Sequence, residues 1–176
     1  MEKIGIRKGG ADDIPAILAM LDSSVAWLAA QGRTGQWGTD PWSANPKAVE
    51  TVRRYVAEGE PWIAEVDGVP AGTLTLTDGP GPYLERAPEP ERYIHILATD
   101  RRYAGLGVGA ALLSHAAEET RRAGISLLRV DCYAGDDGKL VAYYESQGFT
   151  STEPFTVGEN KWPGRVLARR IQPPAR

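Results

Sequence analysis

Apolar residues alternate with polar or small ones in 3–9, KIGIRKG, where Ile4 and Ile6 mark the period of a half-buried strand. The period then lengthens. Ile14, Ile17, Leu18, Leu21, Val25 and Leu28 recur every three or four residues, which lays one apolar stripe along a helix; Asp12 or Asp13 can cap it and Pro15 suits its first turn. Glycines break the pattern in 31–42, QGRTGQWGTDPW, which also carries two tryptophans. A second helix is expected over 47–58, then strands at 61–67 and 69–78 joined through Asp67-Gly68, a dipeptide suited to a tight hairpin turn. The proline-rich segment 79–92 cannot be regular structure and reads as a loop.

Beyond that loop the pattern changes from hairpin to crossover. A strand at 93–99, YIHILAT, leads to a helix at 107–124, a strand at 125–134 and a helix at 139–147 that stops at Gly148 with Phe149 placed to fold back on its last turn. Strands at about 150–157 and 165–171 close the count, and 171–176 is a frayed tail. A hairpin followed by a βαβα run predicts a mixed α/β fold, an α+β sheet with helices on its faces.

With 176 residues, 42% of them hydrophobic, the chain is expected to form a single domain over 1–176. Its net charge of −3 lacks the basic footprint of a nucleic-acid binder, so no nucleic acid is expected as a partner. No stretch reads as the roughly 18 consecutive apolar residues of a membrane span, and the N-terminus lacks the apolar core of a signal peptide. A soluble, cytoplasmic protein without a membrane partner is expected. The single cysteine, Cys132, has no internal partner for a disulfide and reads as a small buried hydrophobe on a strand.

The stretch 101–113, RRYAGLGVGAALL, sets glycines at every second position ahead of an apolar helix. It is not a P-loop, which needs G-x-x-x-x-G-K-[ST], nor a dinucleotide fingerprint, which needs G-x-G-x-x-G directly after its strand. What remains is general physics: a helix N-terminus offers unpaired N–H groups and about half a positive charge, and glycines let an anion approach the backbone. Packing competes with that reading. Gly105 and Gly107 could simply make the turn, and Gly109 could let the helix meet a strand.

RYAGLG at 102–107 and YYESQGF at 143–149, in that order and about 40 residues apart, resemble the two marks of the Gcn5-related N-acetyltransferase (GNAT) superfamily. The resemblance extends over the order of elements from about residue 3 to 171. It implies a mostly antiparallel sheet with a splayed parallel strand pair, and acetyl-coenzyme A as acyl donor with no metal. The backbone of Arg102, Tyr103, Ala104, Gly105, Leu106 and Gly107, with Val108, Gly109 and Ala110 opening the helix, would then hold the pyrophosphate. Leu97, Ala98 and Thr99 would meet the pantetheine arm and thioester, and Asp136 would touch the coenzyme. Ala104 stands where members often carry a basic residue, which removes one side-chain contact.

N-acetylation needs a neutral amine, hence a base or a desolvating site. His95 is the candidate, histidine being the side chain that ordinarily titrates near neutrality. Alternation puts Ile94, Ile96 and Ala98 on one face and Tyr93, His95, Leu97 and Thr99 on the other. YIHILAT is similar to the corresponding strand of arylalkylamine acetyltransferases, with Tyr93 in place of the first of two histidines. A structural histidine, with a water chain ending in Glu85, Glu89 or Glu91 as the base, is the competing reading. Tyr144 occupies the family's position for donating a proton to the departing thiolate, whereas Tyr143 reads as core or coenzyme contact and His115 as packing. Trp37, Trp42 and Tyr93 are candidate acceptor contacts, and Trp27 with nearby carboxylates adds to an aromatic, acidic pocket suited to a cationic amine.

The expected activity is therefore acetyl transfer directly to a primary amine of a small molecule, with a homodimer allowed for. A non-catalytic coenzyme A sensor, a longer acyl donor and a protein N-terminal amine stay open beside it.

Overall fold

A computed structural model describes residues 3–173. Seven strands and four helices follow one another as β1 (Ile4–Lys8), α1 (Ile14–Ala30), α2 (Pro46–Glu58), β2 (Glu60–Val66), β3 (Val69–Thr77), β4 (Arg92–Thr99), α3 (Val108–Arg122), β5 (Leu127–Tyr133), α4 (Lys139–Ser146), β6 (Thr150–Val157) and β7 (Trp162–Arg170). The strands form one sheet in the order β1-β2-β3-β4-β5-β7-β6. β4 and β5 pair in parallel, while β1–β2, β2–β3, β5–β7 and β6–β7 are antiparallel. The mixed α/β expectation holds, with element ends displaced by a residue or three. Chain packing divides the molecule into two units, Met1–Thr77 with His95–His115, and Asp78–Ile94 with Ala116–Arg176.

In the first unit, Asp67 (φ 50°) and Gly68 (φ 82°) turn the β2–β3 hairpin, the left-handed pair that this dipeptide accepts at low cost. Asn45 caps α2: its Oδ1 accepts the N–H of Lys47 at 3.0 Å, with Pro46 as the first helical residue. Asp13, one of the two expected caps of α1, is diverted. Its carboxylate accepts from the Arg7 guanidinium at 2.8 Å and from the N–H of Gly10 at 2.9 Å, and it caps nothing in the helix. The Arg7 hydrogen bond holds the Asp13 carboxyl below its ordinary range.

Ala11–Ala30 is, by length and mean composition, apolar enough to cross a membrane, although Asp22, Ser23 and Ser24 interrupt its apolar run. Its apolar stripe is spent inside the protein: Ile17, Met20 and Leu21 form a buried cluster with Val52, Ile63 and Ala98.

In the second unit, α4 packs on β5 and β6. Its distinctive feature is a buried ion pair. Arg129, on β5, donates from Nε and Nη2 to the two oxygens of Glu91 at 2.6 and 2.8 Å, with side-chain exposures of only 10% and 2%. Arg129 also donates to the Glu85 carbonyl at 3.1 Å, and Glu91 accepts the N–H of Ala87 at 2.8 Å, so the proline-rich loop is fastened to the sheet. Removing one partner strands the other charge. Arg129→Leu is accordingly expected to cost about 3–5 kcal/mol in urea unfolding, and a loss below about 1 kcal/mol would show that water reaches the Glu91 carboxylate.

Candidate active site

The segment after β4 is built around Asp100, 8% exposed. Its N–H donates to the Ala71 carbonyl at 2.8 Å, and its Oδ1 accepts the N–H of Arg102 at 3.0 Å. The Arg102 guanidinium closes on the same carboxylate at 3.0 Å, which keeps Asp100 ionised below the usual carboxylate range. Arg101 is held separately: its N–H donates to Ser23 Oγ at 3.0 Å, and its guanidinium lies 3.6 Å from the centre of the Trp27 ring. Together these contacts fix a 3₁₀ turn at Arg101–Tyr103.

The chain then passes through Gly105 (φ 82°) and Gly107 (φ 83°), both left-handed and exposed, and enters α3 at a buried Val108. A Cβ at either glycine would meet nothing within 4 Å, so conformation rather than crowding calls for glycine there. The N–H groups of a helix's first turn have no partner four residues back and carry the positive end of the macrodipole. Here that end sits behind an open, glycine-lined approach. A close contact between helix and sheet is made at Gly72 on β3, where a Cβ would lie 2.6 Å from Val108 Cγ1 and 3.1 Å from Leu112 Cδ1. Gly72 escaped the sequence reading because nothing in its own strand marks it.

β4 itself departs from simple alternation. Its ladder with β5 runs over Arg92↔Leu128, Tyr93↔Arg129 and Ile94↔Val130, and two residues further on Ile96 takes φ 56°. Left-handed backbone at a β-branched residue is strained by about 1–3 kcal/mol and persists only where packing enforces it; Ile96 packs against the α1–α2 core cluster. The turn of the backbone cancels the expected division of faces. His95 stacks on Tyr55 of α2 with ring centres 4.2 Å apart and planes 19° apart, so it faces the same helices as its neighbour Ile96 and as Ala98. Leu97 and Thr99 are half-buried, and the Thr99 carbonyl accepts from Ser24 Oγ at 3.4 Å.

Tyr144 lies on α4, 5% exposed, its ring edge-on to Phe149 at 5.9 Å and to Tyr143 at 5.7 Å. Phe149 reaches it because Gly148 turns the chain at φ 92°, where the N–H of Phe149 donates back to the Tyr144 carbonyl at 3.2 Å. Burial first, then the neighbouring Cys132, pushes the Tyr144 phenol well above its ordinary pKa, so it is a proton donor and not a phenolate. The Cys132 thiol is pushed up to about 12, chiefly by burial. Asp136, in the short turn before α4, has a left-handed backbone at φ 54°.

Tyr93 is fully buried and donates its hydroxyl to Asp131 Oδ2 at 2.7 Å; Tyr83 donates to the same carboxylate at 3.1 Å. Asp131 and Tyr83 were missed in the sequence, although an aspartate inside the apolar run of β5 was a signal that could have been weighed. Three of the loop carboxylates are occupied: Asp78 pairs with Arg86, Glu89 with Arg170 and Glu91 with Arg129. Trp37 and Trp42 meet edge-on at 5.8 Å and wall an open groove of about 320 Å³ with Asp40 and Asn45, while their other sides rest on the core cluster.

The chain matches the Acetyltransferase (GNAT) family over residues 26–149. It is 26% identical over 156 residues, 79% of this chain and 83% of the relative, to the uncharacterized N-acetyltransferase YesJ of Bacillus subtilis (strain 168). Among solved structures it resembles the ribosomal-protein-S18-alanine N-acetyltransferase of Escherichia coli, at a TM-score of 0.68 and 18% identity over 98% of this chain and 97% of that one. It also resembles YncA of Salmonella typhimurium, solved with acetyl-coenzyme A, at a TM-score of 0.64 and 18% identity over 98% and 96% of the two chains. A family match that spans both glycine turn and Tyr144 helix, on a sheet of the same design, identifies the chain as a member of the GNAT family of acetyltransferases.

Proposed function

We propose that this acetyltransferase moves an acetyl group from acetyl-coenzyme A directly to a primary amine of a small molecule, a cationic metabolite or antibiotic. The observation that carries the reading is the exposed left-handed turn at Gly105 and Gly107, which opens straight into the N-terminus of α3. That geometry suits a diphosphate: the amides of Gly105 and of Gly107 to Ala110 supply donors, and a Cβ at either glycine would meet nothing within 4 Å. The acetyl-coenzyme A bound by the similar fold of YncA supports the same donor.

The reading assigns the thioester arm to the backbone of Leu97, Ala98 and Thr99, and a coenzyme contact to Asp136. Bound acetyl-coenzyme A supplies an electrophilic acyl carbon. A C–N bond forms there as the C–S bond breaks, so one proton must leave the amine and one must reach the sulfur. His95 is assigned the first and Tyr144 the second. Burial fits Tyr144 for this, because its raised pKa keeps the proton in place until a thiolate calls for it. Trp37, Trp42 and Tyr93 are assigned to the acceptor. Direct transfer is favoured over an acyl-enzyme because the only thiol is buried and held protonated.

Thiol release with a panel of primary amines tests this reading. Turnover is expected with at least one of them, and Tyr144→Phe is expected to lower kcat by about 10²-fold or more with KM for acetyl-coenzyme A nearly unchanged. His95→Ala should lower kcat/KM likewise. Coenzyme binding without thiol release from any amine would replace the enzyme by a sensor.

Because the Tyr144 pKa is raised, its proton-donating form persists through the alkaline range. The wild-type kcat should therefore show no decline assignable to Tyr144 up to about pH 9.5, just below the ordinary phenol value. A fall there that disappears in Tyr144→Phe would contradict the buried, protonated phenol. Cys132→Ala is expected to keep turnover within about twofold, whereas an acyl-enzyme route would lose about 10⁴-fold or more.

A further inference from the structure

We propose that Tyr55 is a positioning residue for acetyl transfer: its ring is the platform that fixes the plane of the His95 imidazole. The proposal deepens the function given above and rests on its assignment of His95 as the base.

The platform is built from α2 upward. Val52 is fully buried and Val56 packs on the same core cluster, and helical spacing puts Tyr55 on the arc of α2 that these two turn inward. The end of the helix is seated on β3 at Gly59, where a Cβ would lie 2.8 Å from the Leu76 carbonyl oxygen and 2.8 Å from Thr75 Cγ2. Only glycine lets the last turn of α2 come so close to the sheet. The N–H of Gly59 donates to the Tyr55 carbonyl at 2.8 Å, so the seat is tied to this residue's own backbone. The Arg54 guanidinium, 5.2 Å from the centre of the Tyr55 ring, adds a cation–π contact.

His95 reaches the ring because the left-handed Ile96, at φ 56°, breaks the alternation of β4. The imidazole is 8% exposed and lies on Tyr55 with planes 19° apart and centres 4.2 Å apart, closer than the roughly 4.5 Å at which aromatic pairs usually begin. Stacking engages the face of the imidazole, whereas proton transfer engages its edge. Both nitrogens lie in the ring plane, so the contact orients the imidazole without taking either of them. Without a platform, rotation about the side-chain torsions would swing that edge away. A base works only when held within about 0.5 Å and 10–20° of its productive geometry, and the stack supplies that restraint before any amine arrives.

Thiol release by the full chain, with the fastest amine of the panel, tests the platform. Tyr55→Leu is expected to lower kcat about tenfold with KM for acetyl-coenzyme A unchanged, and Tyr55→Phe, which keeps the ring, to stay within about threefold of wild type. A residue that only held the fold would slow the enzyme whether or not His95 were present. A platform acts through His95, so Tyr55→Leu should add nothing to His95→Ala. A double variant slower than His95→Ala alone, or a Tyr55→Leu protein as fast as wild type, would overturn the proposal; in the second case a slow His95→Ala protein would leave the base assignment standing. A His95→Ala protein as fast as wild type, or no turnover of any amine, would remove the base and its platform together. Independently of any variant, NMR of the wild-type protein should show Overhauser contacts between the ring protons of Tyr55 and His95, and their absence would also overturn the proposal.

Discussion

Strand β4 depends on one strained residue. After Ile94 the chain cannot continue as a regular strand, because Ile96 sits at φ 56°, a conformation that a β-branched residue avoids unless its surroundings compel it. The compulsion is visible: Ile96 is drawn onto the cluster of Ile17, Met20, Leu21, Val52 and Ile63. Full burial of a side chain of this size is worth about 1.5–3 kcal/mol, so the partial burial of Ile96 offsets part of the strain. The consequence is local and chemical. His95 is swung onto Tyr55, and Leu97, Ala98 and Thr99 take a path different from the one that a strict period of two would give them.

A second constraint fixes the turn between β4 and α3. Asp100 gathers the Arg102 side chain and N–H while its own N–H reaches Ala71, and Trp27 takes the Arg101 guanidinium. Both arginines at the mouth of the glycine turn are thus oriented by the protein itself. The anion-binding capacity proposed for the turn would reside in main-chain amides, which need no rearrangement before use. Preorganisation of that kind turns a weak short motif into a workable binding element.

Most elements were legible because their periods are strong: the α1 stripe, the Asp67-Gly68 turn and the Gly148-Phe149 helix end all lie within a residue or three of where pattern puts them. Legibility failed where a tertiary partner overrides a local rule. Asp13 deserts its helix for Arg7, Gly72 receives a crowded contact with α3 that nothing in its strand announces, and Ile96 reverses the faces of β4. Glu91 read as a loop acid and is a buried ion-pair partner, since Arg129, 38 residues away, cannot be matched to it from spacing. The Asp131 hydroxyl pair was invisible for the same reason. Charge and pattern along the chain predict periodic surfaces, but not which distant polar groups meet.

The proposed donor site stands most directly on the backbone amides around the strained strand and the glycine turn. Amide chemical shifts, followed by NMR while coenzyme A is added to the full chain, report on them one residue at a time. The amides of 97–99 and 105–110 are expected to move first and furthest. If they stayed still while a different surface responded to the coenzyme, the assignment of turn and strand to the donor would be wrong.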